Sequence, residues 1–286
     1  MSDLSKNTEK LKLLLEDLYR KYSLSYLESD PIYFPHQYKD PLDIEIAGLV
    51  ASALAYGKVD LFKPKIAYIL DVMGKSPKEY IQGFKPAREH RFDSFVYRFN
   101  RGPDIIHLFS IIQRIIKTSG SVKTFFMKGY STHDPDTENA LSSFVHRILE
   151  MDCREAFPGG KLSDGFRHLF PAPGKGACKR LNMFLRWMIR KDSIDFGLWR
   201  EIPPSKLIMP IDTHVARLSK YLGLTKRKGV DWKMAVEVTG ALKVLDPEDP
   251  VKYDFALSRL GILNECPARM DGNKCRECAI REVCVR

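Results

Sequence analysis

Four of the six cysteines, Cys266, Cys275, Cys278 and Cys284, fall within the last 21 residues, in the spacing C-x8-C-x2-C-x5-C. The first ten residues are polar rather than signal-like, and no apolar run approaches the length of a membrane span. The expected compartment is therefore the cytoplasm, where thiols stay reduced and disulfides are rare. Clustered thiols there point to shared ligation of zinc or of an iron–sulfur cluster. A zinc ribbon usually offers two tight C-x2-C pairs, and this chain has one, Cys275 and Cys278. The chain end is thus expected to fold around a ligated centre. Cys153 and Cys178 lie elsewhere and read as ordinary buried thiols.

The rest of the chain reads as all-α. Leu11, Leu14, Leu15, Leu18 and Tyr22 recur at helical spacing over residues 7–22. Asp40-Pro41-Leu42-Asp43 opens a second helix whose body, Ile44 to Tyr56, is small and apolar and so belongs in a core. Further helical patterns run over 63–73, 77–82, 104–117 and 140–151, with Asp104 expected as a cap. The segment Arg91 to Arg101 interleaves Phe92, Phe95, Tyr97 and Phe99 with arginines. Such a pattern can clamp nucleic acid, but its aromatic residues are assigned to the core. The Pro158-Gly159-Gly160-Lys161 turn lacks the pattern of a phosphate loop. No convincing strand alternation or repeat appears.

Two stretches carry candidate chemistry. In Met209-Pro-Ile-Asp-Thr-His-Val-Ala-Arg217, Asp212 reads as the N-cap of a helix bearing Val215, Leu218 and Leu222. The helix dipole and backbone N–H groups would keep that carboxylate ionised and fixed. Upstream, a turn with Gly174 and Gly176 enters a helix whose apolar stripe is Leu181, Phe184, Leu185, Met188 and Ile189. Free N–H groups at such a helix start can hold a phosphate, with Lys179 beside it. Lys179, Arg186 and Arg190 fall on the side opposite the stripe. A lysine amine can attack a sugar carbon when a neighbouring cation such as Arg180 depresses its pKa.

The charge is placed unevenly. Residues 1–160 carry 22 Lys+Arg against 21 Asp+Glu, whereas 161–286 carry 24 against 15. That basic field suits a polyanion such as nucleic acid.

Taken in order, these features resemble the endonuclease III branch of the helix-hairpin-helix (HhH-GPD) base-excision DNA glycosylases, and look closest to a bacterial and archaeal branch of that superfamily. The run Leu260-Gly261 … Cys266 … Cys275-Arg-Glu-Cys278 … Cys284 is similar to that family's [4Fe–4S] loop, with a slightly longer first interval. Ile211-Asp212-Thr213-His214 resembles the segment with the catalytic aspartate, and Lys179-Arg-Leu-Asn182 the stretch starting at the catalytic lysine.

The resemblance implies an all-α protein of two helical domains with a cleft between them. Residues 1–35 would pack with the C-terminal domain. Residues 36–204 would form a helical barrel ending in a hairpin element at about 165–190, and 205–286 would hold the Asp-bearing helix and the cluster. It implies excision of a damaged or mismatched base from a nucleotide flipped out of duplex DNA, with Lys179 as nucleophile, Asp212 stabilising the cationic sugar, and possible AP-lyase action. Cys266, Cys275, Cys278 and Cys284 would ligate a [4Fe–4S] cluster, zinc being the lesser alternative. Gly174, Gly176, Arg180, Arg186, Arg190, His214 and Arg217 would meet the DNA. A monomer in the cytoplasm, nucleoid-associated in a prokaryote, is expected.

Three departures stand out. The usual Leu-Pro-Gly-Val-Gly hairpin is replaced by Pro173-Gly174-Lys175-Gly176-Ala177-Cys178, and alignment by glycines would put Lys175 in the nucleophile slot. Lys179 keeps Asn182 and the apolar stripe in phase. An insertion across Lys191–Met209, with Trp199 and Pro203-Pro204, lengthens the interval to Asp212. Leu54 stands where the family carries its gap-filling glutamine. The other reading is a nucleic-acid-binding protein that keeps the fold and cluster without glycosylase chemistry.

Overall fold

The computed structural model describes residues 3–152, 162–174 and 176–285, the side chains of 3–6 excepted. Cys153, the turn at 158–161 and Lys175 lie outside the described residues. The described chain is predominantly helical, as an all-α reading requires. No described helix is long and apolar enough to cross a membrane. The chain forms two compact units: residues 27–172 make one, and residues 1–26 with 173–286 make the other. Residues 173–204, which the expected division gave to the barrel, therefore belong with the chain ends. The hairpin element expected at 165–190 is divided between the two units.

The chain opens with α1 (Asp3–Lys21) and then enters the unit of residues 27–172. That unit is built around α2 (Pro41–Leu54), buried from Asp43 to Leu54. Asp40 starts α2 by accepting from the Leu42 and Asp43 amides at 2.8 and 3.4 Å. Around it follow α3 (Val59–Met73), α4 (Pro77–Gln82), a two-residue hairpin of β1 (Val96–Tyr97) and β2 (Asn100–Arg101), and α5 (Gly102–Ser119). The unit continues with α6 (Val122–Met127), α7 (Glu138–Leu149) and α8 (Asp164–Leu169). Two buried carboxylates on α2 reach outward to hold other helices by their N-termini. Asp43 Oδ1 accepts from the Lys78 amide at 2.7 Å and from Ser76 Oγ at 3.1 Å. Glu45 Oε2 accepts from the Val122 and Lys123 amides at 3.0 and 3.3 Å. Each meets the positive end of a helix dipole, which offsets the cost of burying the charge.

Three expectations need correction here. Asp104 is not the cap of α5 but its third residue, where Oδ2 accepts from the Arg101 amide at 2.7 Å. The strand pair was also unanticipated, because two residues per strand are too few to show alternation. Phe92, Phe95 and Tyr97 are buried as expected, but Phe99 is 61% exposed at the hairpin tip.

The second unit adds α9 (Lys179–Ile189), α10 (Thr213–Tyr221), α11 (Trp232–Leu245), α12 (Asp254–Ile262) and α13 (Gly272–Arg276) to α1. α1 packs on α11 and α12, and α10 packs closely along α12. The insertion after α9 folds back on that helix. The Phe196 and Trp199 amides donate to the Trp187 and Met188 carbonyls at 2.9 and 2.8 Å, satisfying acceptors that a helix end leaves open. The Trp199 indole, fully buried, packs edge-on to Phe184 at 5.4 Å.

Candidate functional site

Asp212 caps α10. Its Oδ1 accepts from the His214 and Val215 amides, both at 2.8 Å, and the side chain remains half-buried. Among the described residues its second oxygen has no partner. The approach to Asp212 is fixed from behind, because the Met209 amide donates to Thr239 Oγ1 on α11 at 2.9 Å.

Lys179 is the first residue of α9, half-buried, and forms no ion pair among the described residues, with Asp212 or any other carboxylate. Cys178 just before it takes a left-handed conformation, φ 50°, and no side chain caps the helix. Burial pushes the Cys178 thiol up to about 12, which keeps it protonated and unreactive. Gly174 needs its positive φ of 90°, and neither Gly174 nor Gly176 has a heavy atom within 4 Å of where a Cβ would stand. The backbone leading into α9 is therefore open to a close approach.

The expected basic face of α9 is corrected by the structure. Arg180, Arg186 and Arg190 are all buried, the last two only 2% and 4% exposed. Arg186 donates from Nε to Asp195 Oδ1 at 3.2 Å and from Nη1 to Asp254. Arg190 chelates Asp249 through Nε, 2.9 Å to each oxygen, and pairs through Nη1 with Asp192 at 2.9 Å and with Asp195. Tyr19 on α1 donates to Asp192 at 2.9 Å. Burial pushes the Asp195 and Asp249 carboxyls up. It works on Asp192 too, but Arg190, two backbone N–H groups and the Tyr19 hydroxyl hold that carboxyl below its ordinary value. Arg186 and Arg190 thus lock α9 to the insertion and to α12, and their ion pairs commit them to carboxylates rather than to a phosphate.

Arg217 is likewise committed: its Nη2 donates to the Cys266 carbonyl at 2.6 Å, tying α10 to the start of the cysteine loop. His214 is half-buried against α12. A Cβ on Gly261 would stand 2.5 Å from the His214 Cβ and 2.6 Å from Nδ1, so only glycine lets the two helices meet. Asp212 and the cysteine loop are thus brought together mechanically, through His214, Gly261 and Arg217.

Cys266 is buried just beyond α12, its amide donating to the Leu260 carbonyl at 2.9 Å. Cys275 lies on α13, and Cys278 and Cys284 flank a short turn of 3-10 helix. None of the four is in a disulfide. Burial pushes the Cys278 thiol up, and the neighbouring Cys284 and Cys275 add to that shift. Among the described residues no three Cys, His, Asp or Glu side chains stand close enough together to hold a metal ion as placed. The donor chemistry itself, four cysteines within 21 residues and none in a disulfide, fits an iron–sulfur cluster.

The sequence missed the carboxylates that neutralise α9. Asp195 is supplied by the insertion and Asp249 and Asp254 by segments over 50 residues away, a pairing that spacing cannot reveal. It also missed Gly261, though a glycine inside a helical pattern is itself a signal of close packing.

Fold and site define a helical protein in which residues 1–26 and 173–286 form one unit, carrying a helix-capping aspartate, a helix-start lysine and a cysteine-rich loop. The chain belongs to the family described as protein of unknown function (DUF2400), which matches residues 30–263. The match takes in Lys179 and Asp212 and stops short of Cys266. No curated protein and no solved structure matches the chain.

Proposed function

We propose that the protein is a DNA-repair glycosylase that removes a damaged or mismatched base from a flipped nucleotide, with Lys179 as nucleophile and Asp212 as its electrostatic partner. The observation that carries this reading is the state of Asp212: one oxygen is anchored by two backbone N–H groups and the other has no partner among the described residues. A carboxylate so held can face a developing sugar cation without moving. Lys179 supports the reading because no carboxylate among the described residues neutralises it.

In the reaction the Lys179 amine attacks C1′ of the sugar as the C1′–N glycosidic bond breaks. The bonding pair leaves with the base, which takes up a proton, and the attacking nitrogen gives one up. Opening of the sugar ring leaves a Schiff base between Lys179 and C1′. From it, loss of a C2′ proton and departure of the 3′-phosphate would cut the strand. Asp212 stabilises positive charge at C1′ and orients the protons exchanged there. Cys266, Cys275, Cys278 and Cys284 would hold a [4Fe–4S] cluster that braces the loop and takes no part in bond breaking.

Borohydride trapping on duplex DNA with an abasic site tests this. Wild type should form a covalent adduct, and Lys179→Ala should form none. Loss in Lys175→Ala alone would move the nucleophile to that residue. Binding without an adduct in any variant would exclude Schiff-base chemistry and favour a protein that only binds nucleic acid.

A further inference from the structure

The unit of residues 27–172 carries a second feature with its own chemistry. At the tip of the β1–β2 hairpin, Phe99 is 61% exposed, yet its surroundings are held from several sides. Its ring lies parallel to Tyr56 at 6.3 Å and against His168 of α8 at 4.8 Å. Directly after it, fully buried Asn100 donates from Nδ2 to the Gly165 carbonyl at 2.8 Å and accepts from the Tyr56 hydroxyl at 2.6 Å. Gly165 is glycine for a reason: a Cβ there would stand 2.6 Å from the Phe99 carbonyl oxygen, so α8 presses directly on the hairpin backbone. An exposed aromatic side chain is ordinary, but one mounted on a buried asparagine, two rings and a glycine contact is rigid before anything binds.

The preceding residue, Arg98, has the left-handed φ of 50°, a conformation that a non-glycine residue adopts at a cost. That backbone turn lays its side chain over Gly57, where a Cβ would come within 2.5 Å of Nη1. Arg98 is exposed and forms no ion pair among the described residues. Arg101 folds back onto the tip, donating to the Arg98 and Asn100 carbonyls at 2.8 and 3.1 Å. The three segments that meet here, 56–58, 96–101 and 164–168, expose four cations (Lys58, Arg98, Arg101, Arg167) against one carboxylate, Asp164.

We propose that Phe99 is a stacking platform for an unpaired base of single-stranded nucleic acid, with Arg98 meeting the adjacent phosphate. A flat, preorganised ring accepts any base, because every base has a π-face, and the cation excess attracts the backbone. This rests on the nucleic-acid reading above, but not on its lysine chemistry.

The test is fluorescence anisotropy of the full chain with a fluorescein-labelled oligothymidylate over a range of NaCl concentrations. Phe99→Ala should weaken binding by about 5- to 150-fold and leave the salt slope as in wild type. Phe99→Trp should bind at least as well as wild type, which also shows that the hairpin still folds. Arg98→Ala should reduce the slope by about 0.7, the loss of one phosphate contact on a single strand. The proposal fails if wild type does not bind, if Phe99→Ala binds within twofold of it, or if Phe99→Trp is as weak as Phe99→Ala. Phe99-dependent binding with no Lys179 adduct would support this site and sink the catalytic reading. A Lys179 adduct with Phe99-independent binding would do the reverse.

Discussion

Replacing Asp195 should be the most damaging change of a single carboxylate in the ionic cluster beneath α9. Its side chain is 1% exposed and bridges two arginines, accepting from Arg186 Nε at 3.2 Å and from Arg190 Nη1. Breaking a buried pair from one side leaves the other charge uncompensated, at a cost of about 3–5 kcal/mol. Each arginine here retains a second partner, Asp254 for Arg186 and Asp192 with Asp249 for Arg190. The cost of Asp195→Ala should therefore fall near the lower end, about 3 kcal/mol. Asp195→Asn keeps an oxygen acceptor and should cost about 1.5–3 kcal/mol, the worth of a charge-assisted hydrogen bond. Asp249, with a side chain 25% exposed, lets water reach Arg190 once the carboxylate is gone, so Asp249→Ala should cost less than either. Urea unfolding followed by circular dichroism measures all three. A cost below 1 kcal/mol for Asp195→Ala, or Asp249→Ala ranking first, would mean that the cluster is not the clamp described here.

Gly261→Ala should cost about 1–3 kcal/mol by overpacking, because its Cβ would fall 2.5 Å from that of His214. The same change pushes on the helix capped by Asp212, so adduct formation should drop even where the protein stays folded. Stability should also decline on acidification from about pH 6.5 towards pH 4. Burial lowers His107 from 6.5 to about 4, so in that window the unfolded chain binds a proton that the folded one refuses. His107→Leu should flatten the dependence there, and an unchanged slope in urea midpoints against pH would refute the assignment. At still lower pH, Asp192 and Asp246, held below the ordinary carboxylate range, protonate and their contribution is lost.

Local features of the fold were legible where the signal was local. Asp40-Pro41 and Asp212 announced helix starts because a cap acts on amides two and three residues ahead. The leucines of α1 and the stripe on α9 showed their buried faces by period alone. The opposite side of α9 was misread for the same reason. A helical wheel separates arginine from leucine but does not show that Asp195, Asp249 and Asp254 come to meet the arginines. Glu45 is similar: on a near-apolar helix it looks out of place until the amides of Val122 and Lys123, 77 and 78 residues on, supply its partners. Phe99 escaped the core assignment of its neighbours because a tight hairpin reverses the chain between Tyr97 and Asn100 and turns one ring outward.

The division of the chain also sets an order for its folding. Residues 27–172 form their unit from one continuous stretch, so a ribosome can release it complete. The other unit must wait. α1 is made before residues 27–172, but its partners on α11 and α12 come after them, and the Lys21–Glu265 ion pair closes over 244 residues. Until then the leucine face of α1 lacks the helices that cover it, and late closure of so distant a contact is slow. During synthesis the apolar face of α1 therefore stays uncovered for as long as residues 27–172 and the segment up to α12 take to be made.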